Sequence, residues 1–222
     1  MNVIESLLNY REEIFQAIGL TASAGLGAIA IATVVGIAAG MVLTYGHSLA
    51  AWPIRAYVDI VRGIPGLVVV FMSYYLLGFA LQGIGITLDA WAAGLIALSI
   101  VGIADVAEIT RGAFQSLPRG QIEAGKAIGL RFRSILTSIL LPQAAIQMIP
   151  PWTNSATELI KGTTLLSLIG VTELLLTANQ LVARGGNALY FFIAIGILFF
   201  IINTLIQLVA RVAEKKLDYR TA

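Results

Sequence analysis

From Ile14 to Tyr45 the chain carries no charged side chain. A run of that kind fixes the environment before any other feature is considered. About 20 helical residues cross a hydrocarbon core of ~30 Å. This run is longer than one crossing needs, so a helix built on it must tilt or project beyond the membrane. Four further apolar segments are long enough to span: about Ile64 to Leu81, Ala90 to Ala113, Ser134 to Ile160 and Asn187 to Val212. They are continuous rather than alternating, which predicts helices and not barrel strands. Composition agrees. The chain is 58% hydrophobic and 12% charged, whereas soluble domains average about 25% charged residues. The expectation is an all-α integral membrane protein, a single domain over residues 1–222 with five transmembrane helices.

Several classes of chemistry are excluded by what is missing. There is no cysteine, so disulfides, thiol catalysis and thiolate metal sites fall away. His47 is the one histidine, too few for a metal cluster or a Ser/His pair. No HExxH occurs, and no GxxxxGK[ST], so the chain is expected neither to be an enzyme nor to bind nucleotide itself. Nothing suggests a nucleic-acid partner. The beginning, MNVIESLLNYREE, with Glu5, Glu12 and Glu13 against Arg11, lacks the basic region of a cleavable signal.

Basic residues orient the spans. Arg55, Arg62, Arg111, Arg119, Lys126, Arg131, Arg133, Arg211, Lys215, Lys216 and Arg220 fall on one side; Arg11, Lys161 and Arg184 fall on the other. Positive charge collects in the cytoplasm. This predicts a cytoplasmic polar island and C-terminus and an external N-terminus. Tyr45, Trp52, Tyr57 and Trp91 lie near span ends, as interfacial aromatics or as packed core. In the first span Gly36-Ile-Ala-Ala-Gly40 permits close backbone approach, either within the chain or at a subunit interface.

Charge inside a span is expensive and points to function. The third span holds Asp105 and Glu108 on one face. Glu108 has Arg111 one turn on; Asp105 has no local partner and must find one on another helix, face water or bind a solute. In the fourth span, Pro142 and Pro150-Pro151 remove backbone donors and predict a bend or break. Beyond it come Trp152, Thr153, Asn154, Ser155, Thr157, Glu158 and Lys161. A broken helix with polar groups near mid-membrane is one way to build a solute pathway; a Glu158–Lys161 ion pair is the structural alternative. Thr172 reads as the N-cap of a short helix ending near Ala183, before Gly185-Gly186, in an outward, partly re-entrant lid.

One polar island, from about Arg111 to Arg133, interrupts the apolar chain. Leu117-Pro118-Arg119-Gly120 forms a turn, and Gln121 to about Leu130 reads as a short helix with Gly125 and Gly129 on the face of Gln121. A helix this short is marginal alone, so it calls for a docking partner. Small residues there admit another surface to backbone distance, with Glu123, Lys126 and Arg133 around it.

The island also carries a resemblance. Glu123-Ala-Gly, then Gly129, then Ile139-Leu-Leu-Pro142 matches the EAA signature, EAA-x(3)-G-x(9)-I-x-LP, of the membrane subunits of ABC importers, with Gly125 in place of the second alanine. RGIPGLVVVFMSYY (62–75), AEITRGAFQSLPRGQIEAGKAIGL (107–130), LPQAAIQMIPPWTN (141–154) and IKGTTLLSLIGVTEL (160–174) are similar to elements of permeases for polar amino acids. The likeness runs from about Arg62 to the C-terminus. It implies the type I ABC importer permease fold, with the island as a cytoplasmic coupling helix. By the same likeness Gln121, Glu123, Ala124, Gly125, Lys126 and Gly129 contact a pair of ATP-hydrolysing subunits. ATP and Mg would sit on that partner, and no cofactor on this chain. The remaining implied partners are an external solute-binding protein, the lipid bilayer, a small polar amino-acid-like solute, and a second permease, sister or identical.

Asp105, Glu108, Trp152, Asn154, Ser155, Thr157, Glu158 and Lys161 are the candidate pathway residues. Asp105 stands where such permeases often have an aromatic, Gly162 where an acid usually follows the lysine, and Glu158 where a small or apolar residue is common. These departures favour a basic amino acid or an amine-bearing derivative. The rivals are an ion-driven secondary transporter, which would usually show an internal repeat, and a structural subunit, for which Asp105→Asn and Glu158→Gln would leave transport unchanged.

Overall fold

A computed structural model describes residues 9–218, with backbone alone for 217 and 218; Glu5 and Arg220, which entered the charge reading, lie outside the described residues. Those residues are helical and contain no strand. Among the described residues eight helices follow in order: α1 (Arg11–Tyr45), α2 (Ser48–Gly63), α3 (Gly66–Gln82), α4 (Ala90–Gln115), α5 (Gly120–Ala127), α6 (Phe132–Ile169), α7 (Leu174–Ala183) and α8 (Ala188–Asp218). α1, α4, α6 and α8 are each long and apolar enough to cross a membrane, and α2 with α3 makes a bent fifth candidate.

The packing starts from α1 against α4. Buried positions on α1 include Ala17, Thr21, Ala24, Ala28, Ala32, Gly36 and Gly40, a stripe of small residues at helical spacing. α4 answers with Ala93, Gly94, Ala97, Gly102, Ala104 and Ala107. A Cβ added at Gly36 would lie 2.6 Å from the Val106 Cβ; one at Gly40 would lie 2.6 Å from the Ala107 carbonyl oxygen. The two backbones are therefore in near contact, and the GxxxG pair is filled by the chain's own α4. In lipid, where burying apolar surface gives no drive between helices, such close van der Waals contact is what holds them.

The second expected span is half of a bent pair. Ile64 is extended (φ −105°, ψ 136°), as the residue before a proline prefers. α2 stops at Gly63 and α3 leaves at 111° to it. α2 lays Ile54, Tyr57, Val58 and Val61 against Ala104 and Ala107 of α4, and the Tyr57 hydroxyl donates to the Ile100 carbonyl at 2.6 Å. The sequence offered no separate helix here. Of the four interfacial aromatics, Trp52 points away from the protein, 74% exposed. Tyr45 packs edge-on to Phe114 and Phe132, and Trp91 packs against the core around α1 and α4.

The expected break in the fourth span does not occur. The stretch Leu141–Gly162 is one α-helix with Pro150 and Pro151 inside it, continued by a 3₁₀ turn over Thr163–Ile169. Each proline removes a donor, yet its fixed φ near −65° is already helical. Flanking α4 and α8 hold the segment, as neighbouring helices do for prolines in membranes. A π-helical turn, Leu136–Leu140, precedes Pro142; an extra residue in the turn widens the ladder where the proline ring needs room. The span is also longer at both ends than Ser134 to Ile160.

The cap of α7 is Glu173, not Thr172. Its Oε1 accepts from the Leu176 amide at 2.9 Å. The side chain is fully buried, and burial pushes its carboxyl above the usual range, partly offset by the Leu175 and Leu176 amides. α8 buries Phe191 and Ala210 and leaves Phe200, Val209 and other apolar residues exposed, the composition of a lipid-facing helix.

The near contact of α1 and α4 is directly testable. Gly36→Val and Gly40→Val should each lower the melting temperature of the purified protein, with an overpacking penalty on the order of 1–3 kcal/mol. Gly19→Ala, where an added methyl meets nothing within 4 Å, should leave it unchanged or raise it slightly.

Candidate functional site

Two helices carry most of the polar groups. On α4, Asp105 and Glu108 lie one turn apart, roughly 22 and 27 Å along the axis from Ala90. On α6, Pro151, Asn154, Ser155 and Glu158 follow at helical spacing. Where these faces meet, beside the end of α2, they line a cavity of about 320 Å³ with Arg62 and Ile109.

Charge in the cavity is unevenly matched. Arg62 Nε lies 3.3 Å from Asp105 Oδ1, so the partner Asp105 lacked in sequence comes from another helix. Glu108 is held twice: Arg55 Nη1 donates to its Oε2 at 3.2 Å, and Arg111 grips both its oxygens, Nε to Oε2 at 2.9 Å. Glu158 takes part in no ion pair among the described residues. The Ser155 hydroxyl is buried against the cavity without a hydrogen-bond partner among those residues. The lining therefore presents one guanidinium and three carboxylates, of which Glu158 alone is unmatched.

Five of the candidate pathway residues, Asp105, Glu108, Asn154, Ser155 and Glu158, share this cavity. Three others do not. The Trp152 indole donates to Thr33 Oγ1 at 2.8 Å and packs into the core. Thr157 is buried with its hydroxyl on the Asn154 carbonyl at 2.8 Å. Lys161 is exposed and forms no pair with Glu158. An unbroken helix turns 152 and 157 away from the face of 151, 154 and 158. Arg62 was missed because it is distant in sequence. The signal that identifies it is the lone Asp105, which required a cation from outside its own helix.

The second feature is α5, fixed to α6. Gln121 and Gln143 exchange amide hydrogen bonds at 2.8 and 3.1 Å. Gly125 is buried, and a Cβ there would come 2.8 Å from Ile135. Gly129 has φ +81° and closes the helix, its amide bonding to the Lys126 carbonyl at 3.0 Å and that of Leu130 to Gly125 at 3.0 Å. So Gln121 and Gly125, expected on a docking surface, face the chain's own α6, and Gly129 serves the turn rather than close approach. The outward face holds Glu123, Ala124, Lys126, Ala127 and Ile128. Ile128, 76% exposed, was missed; an apolar residue in a polar island was its signal. On the α4 side, the Ser116 hydroxyl bonds Gln147 of α6.

Arg62 and Asp105 are 49% and 32% exposed at the side chain, so their pair is worth at most about 1 kcal/mol. A double-mutant cycle of Arg62→Gln and Asp105→Asn, read by thermal unfolding, should give a coupling in that range. A much larger coupling would mean a pair too firmly locked to yield to a solute.

Comparison with known proteins follows the same outline. Residues 32–219 match the family described as binding-protein-dependent transport system inner membrane component. The chain is 38% identical to the L-cystine transport system permease protein TcyB of Bacillus subtilis (strain 168), over 75% of this chain and 70% of that one. It is 32% identical to the glutamine transport system permease protein GlnP of Escherichia coli (strain K12), over 83% of each. In fold it is similar to the crystal structure of an amino acid ABC transporter with histidines, at a TM-score of 0.85 and 22% identity, covering 97% of this chain and 99% of that one.

Proposed function

The chain belongs to the family of binding-protein-dependent transport system inner membrane components, and we propose that within an amino-acid ABC importer it forms half of the pathway for a cationic amino acid or an amine-bearing derivative. The observation that carries this reading is Glu158, the one carboxylate of the cavity without an ion pair among the described residues. A solute ammonium or guanidinium between Glu158 and Asp105 supplies the missing positive charge, and the buried Ser155 hydroxyl and Asn154 offer polar contacts for the rest of it. Arg62 holds Asp105 until the solute arrives; being weakly paired, it can turn aside to meet the solute carboxylate. Relatives named for glutamine and cystine transport concern solutes without a net positive charge, so the substrate reading rests on this chain's own acids.

The basic residues support a cytoplasmic position for α5 and the C-terminus, with the N-terminus outside. There the face of Glu123, Ala124, Lys126, Ala127 and Ile128 docks on an ATP-hydrolysing subunit, which holds the ATP and Mg. A second permease, identical or sister, completes the pathway, and an external binding protein delivers the solute. When two ATPases close on nucleotide they draw two α5 helices together. α5 is tied to α6 by Gln121–Gln143 and by Gly125 on Ile135, and α6 to the end of α4 by Ser116–Gln147, so the walls of the cavity tilt with it and access changes sides.

The test is uptake into proteoliposomes by the assembled transporter. Arginine- or lysine-like solutes should be taken up in an ATP-dependent way and in preference to glutamate-like ones. Glu158→Gln should cut that uptake at least about tenfold, the loss of one charge-assisted contact of roughly 1.5–3 kcal/mol. Preferred uptake of acidic solutes contradicts the assignment. For docking, Ile128→Asp should abolish co-purification with the ATPase while leaving the melting temperature of the permease unchanged, because the Ile128 side chain is 76% exposed.

A further inference from the structure

Away from the charged cavity, α7 and the beginnings of α1 and α8 enclose a second groove of about 400 Å³. Its walls are hydrocarbon, among them Phe15 and Ile18 of α1, Leu181 of α7, and Phe191 and Leu198 of α8. Its polar side chains are Thr177, whose hydroxyl already leans on the Thr172 carbonyl at 3.4 Å, and Arg11 at one end. A polar solute in this groove would lose water and gain no hydrogen bond, so the part of an occupant that lies here is a hydrocarbon chain. Phe15 and Ile197, both on the lining, are 76% and 54% exposed. The groove thus opens sideways, toward the tails of the surrounding bilayer.

The Arg11 end is different. Arg11 also lines a polar pocket with Asn9, Tyr10, Glu12 and Glu13. Glu13 is committed to Arg184 at 2.9 Å. Arg11 and Glu12 enter no ion pair among the described residues, which leaves one charge of each sign. A dry groove joined through an arginine to a pocket with balanced charges fits an amphiphile with a zwitterionic head.

We propose that this place holds one phospholipid with an ethanolamine-type headgroup. Its phosphate lies on Arg11, its ammonium faces Glu12, and one acyl chain fills the groove between α1, α7 and α8. The lipid is a structural ligand. It closes a gap that the helices leave open and ties the start of α8 to α1. The site is independent of the solute reading, since it shares no residue with the charged cavity.

The experiment uses the assembled transporter in nanodiscs, with a phosphatidylethanolamine carrying a diazirine near the end of one acyl chain and a phosphatidylglycerol with the same tail. Labelled positions are mapped by peptide mass spectrometry. The ethanolamine lipid should label Leu181, Phe191 and Leu198 severalfold more than Phe200 and Val209, which lie on the open lipid face of α8 and are 72% and 70% exposed. It should also label the groove severalfold more than the glycerol lipid does, a preference that Glu12→Gln removes, whereas Arg11→Gln lowers labelling by both lipids. Equal labelling of groove and open face overturns the proposal. So does equal or better labelling by the glycerol lipid, or a groove that stays unlabelled because a second permease or residues 1–8 cross-link into it. The wild-type comparison needs no variant, so a poorly folding substitution cannot obscure the result.

Discussion

A carboxylate within a membrane-spanning helix must be paired or wetted, and α4 and α6 are arranged around that requirement. Asp105 and Glu108 sit on the face of α4 turned toward α6, and the end of α2 brings Arg55 and Arg62 to them from the side. Those two arginines are present at this depth because Pro65 forces Ile64 to be extended and turns the chain through 111°. Glu158 on α6 is left over, and the chemistry of the cavity follows from that remainder.

The same two helices hold α5. Near contact of α1 with α4 through Gly36 and Gly40 makes α4 a stiff member, and the Gln121–Gln143 pair with the Gly125 contact joins α5 to α6. A displacement imposed on α5 therefore reaches Asp105 and Glu158 through packed helices and not through a loop. That mechanical continuity is why, in the function proposed, a small polar segment in an apolar chain matters: work applied to it would reach the cavity.

Much of this was legible in the sequence, and the rest was not for definable reasons. The uncharged run from Ile14 to Tyr45, the other long apolar segments and the isolated Asp105 depend on composition along one chain, which the sequence displays. The identity of Asp105's partner depends on a turn between two helices, and a hydropathy window does not see the angle at Pro65. Pro150-Pro151 predicts a bend or break because a proline ring lacks a donor; its φ is nonetheless helical, and neighbouring helices hold the segment. With the helix unbroken, Trp152 and Thr157 rotate away from the cavity. Gly125 and Gly129 looked alike as small residues, yet one yields to Ile135 and the other supplies a positive φ. Only the fold separates those two uses of glycine. Thr172 and Glu173 are both competent caps by type; the burial of Glu173 beside the Leu176 amide decides between them.

The central claim is that α5 and α6 move as one body. Spin labels at Ala127 on α5 and Leu141 on α6, both exposed, report on it directly in the assembled transporter. With the partner ATPases open or closed on nucleotide, the distance between the two labels should stay the same, while the distance between Ala127 and its counterpart in the second permease shortens on closure. A change in the Ala127–Leu141 distance on nucleotide binding would contradict the account, because the walls of the cavity would then not follow the element that receives the work.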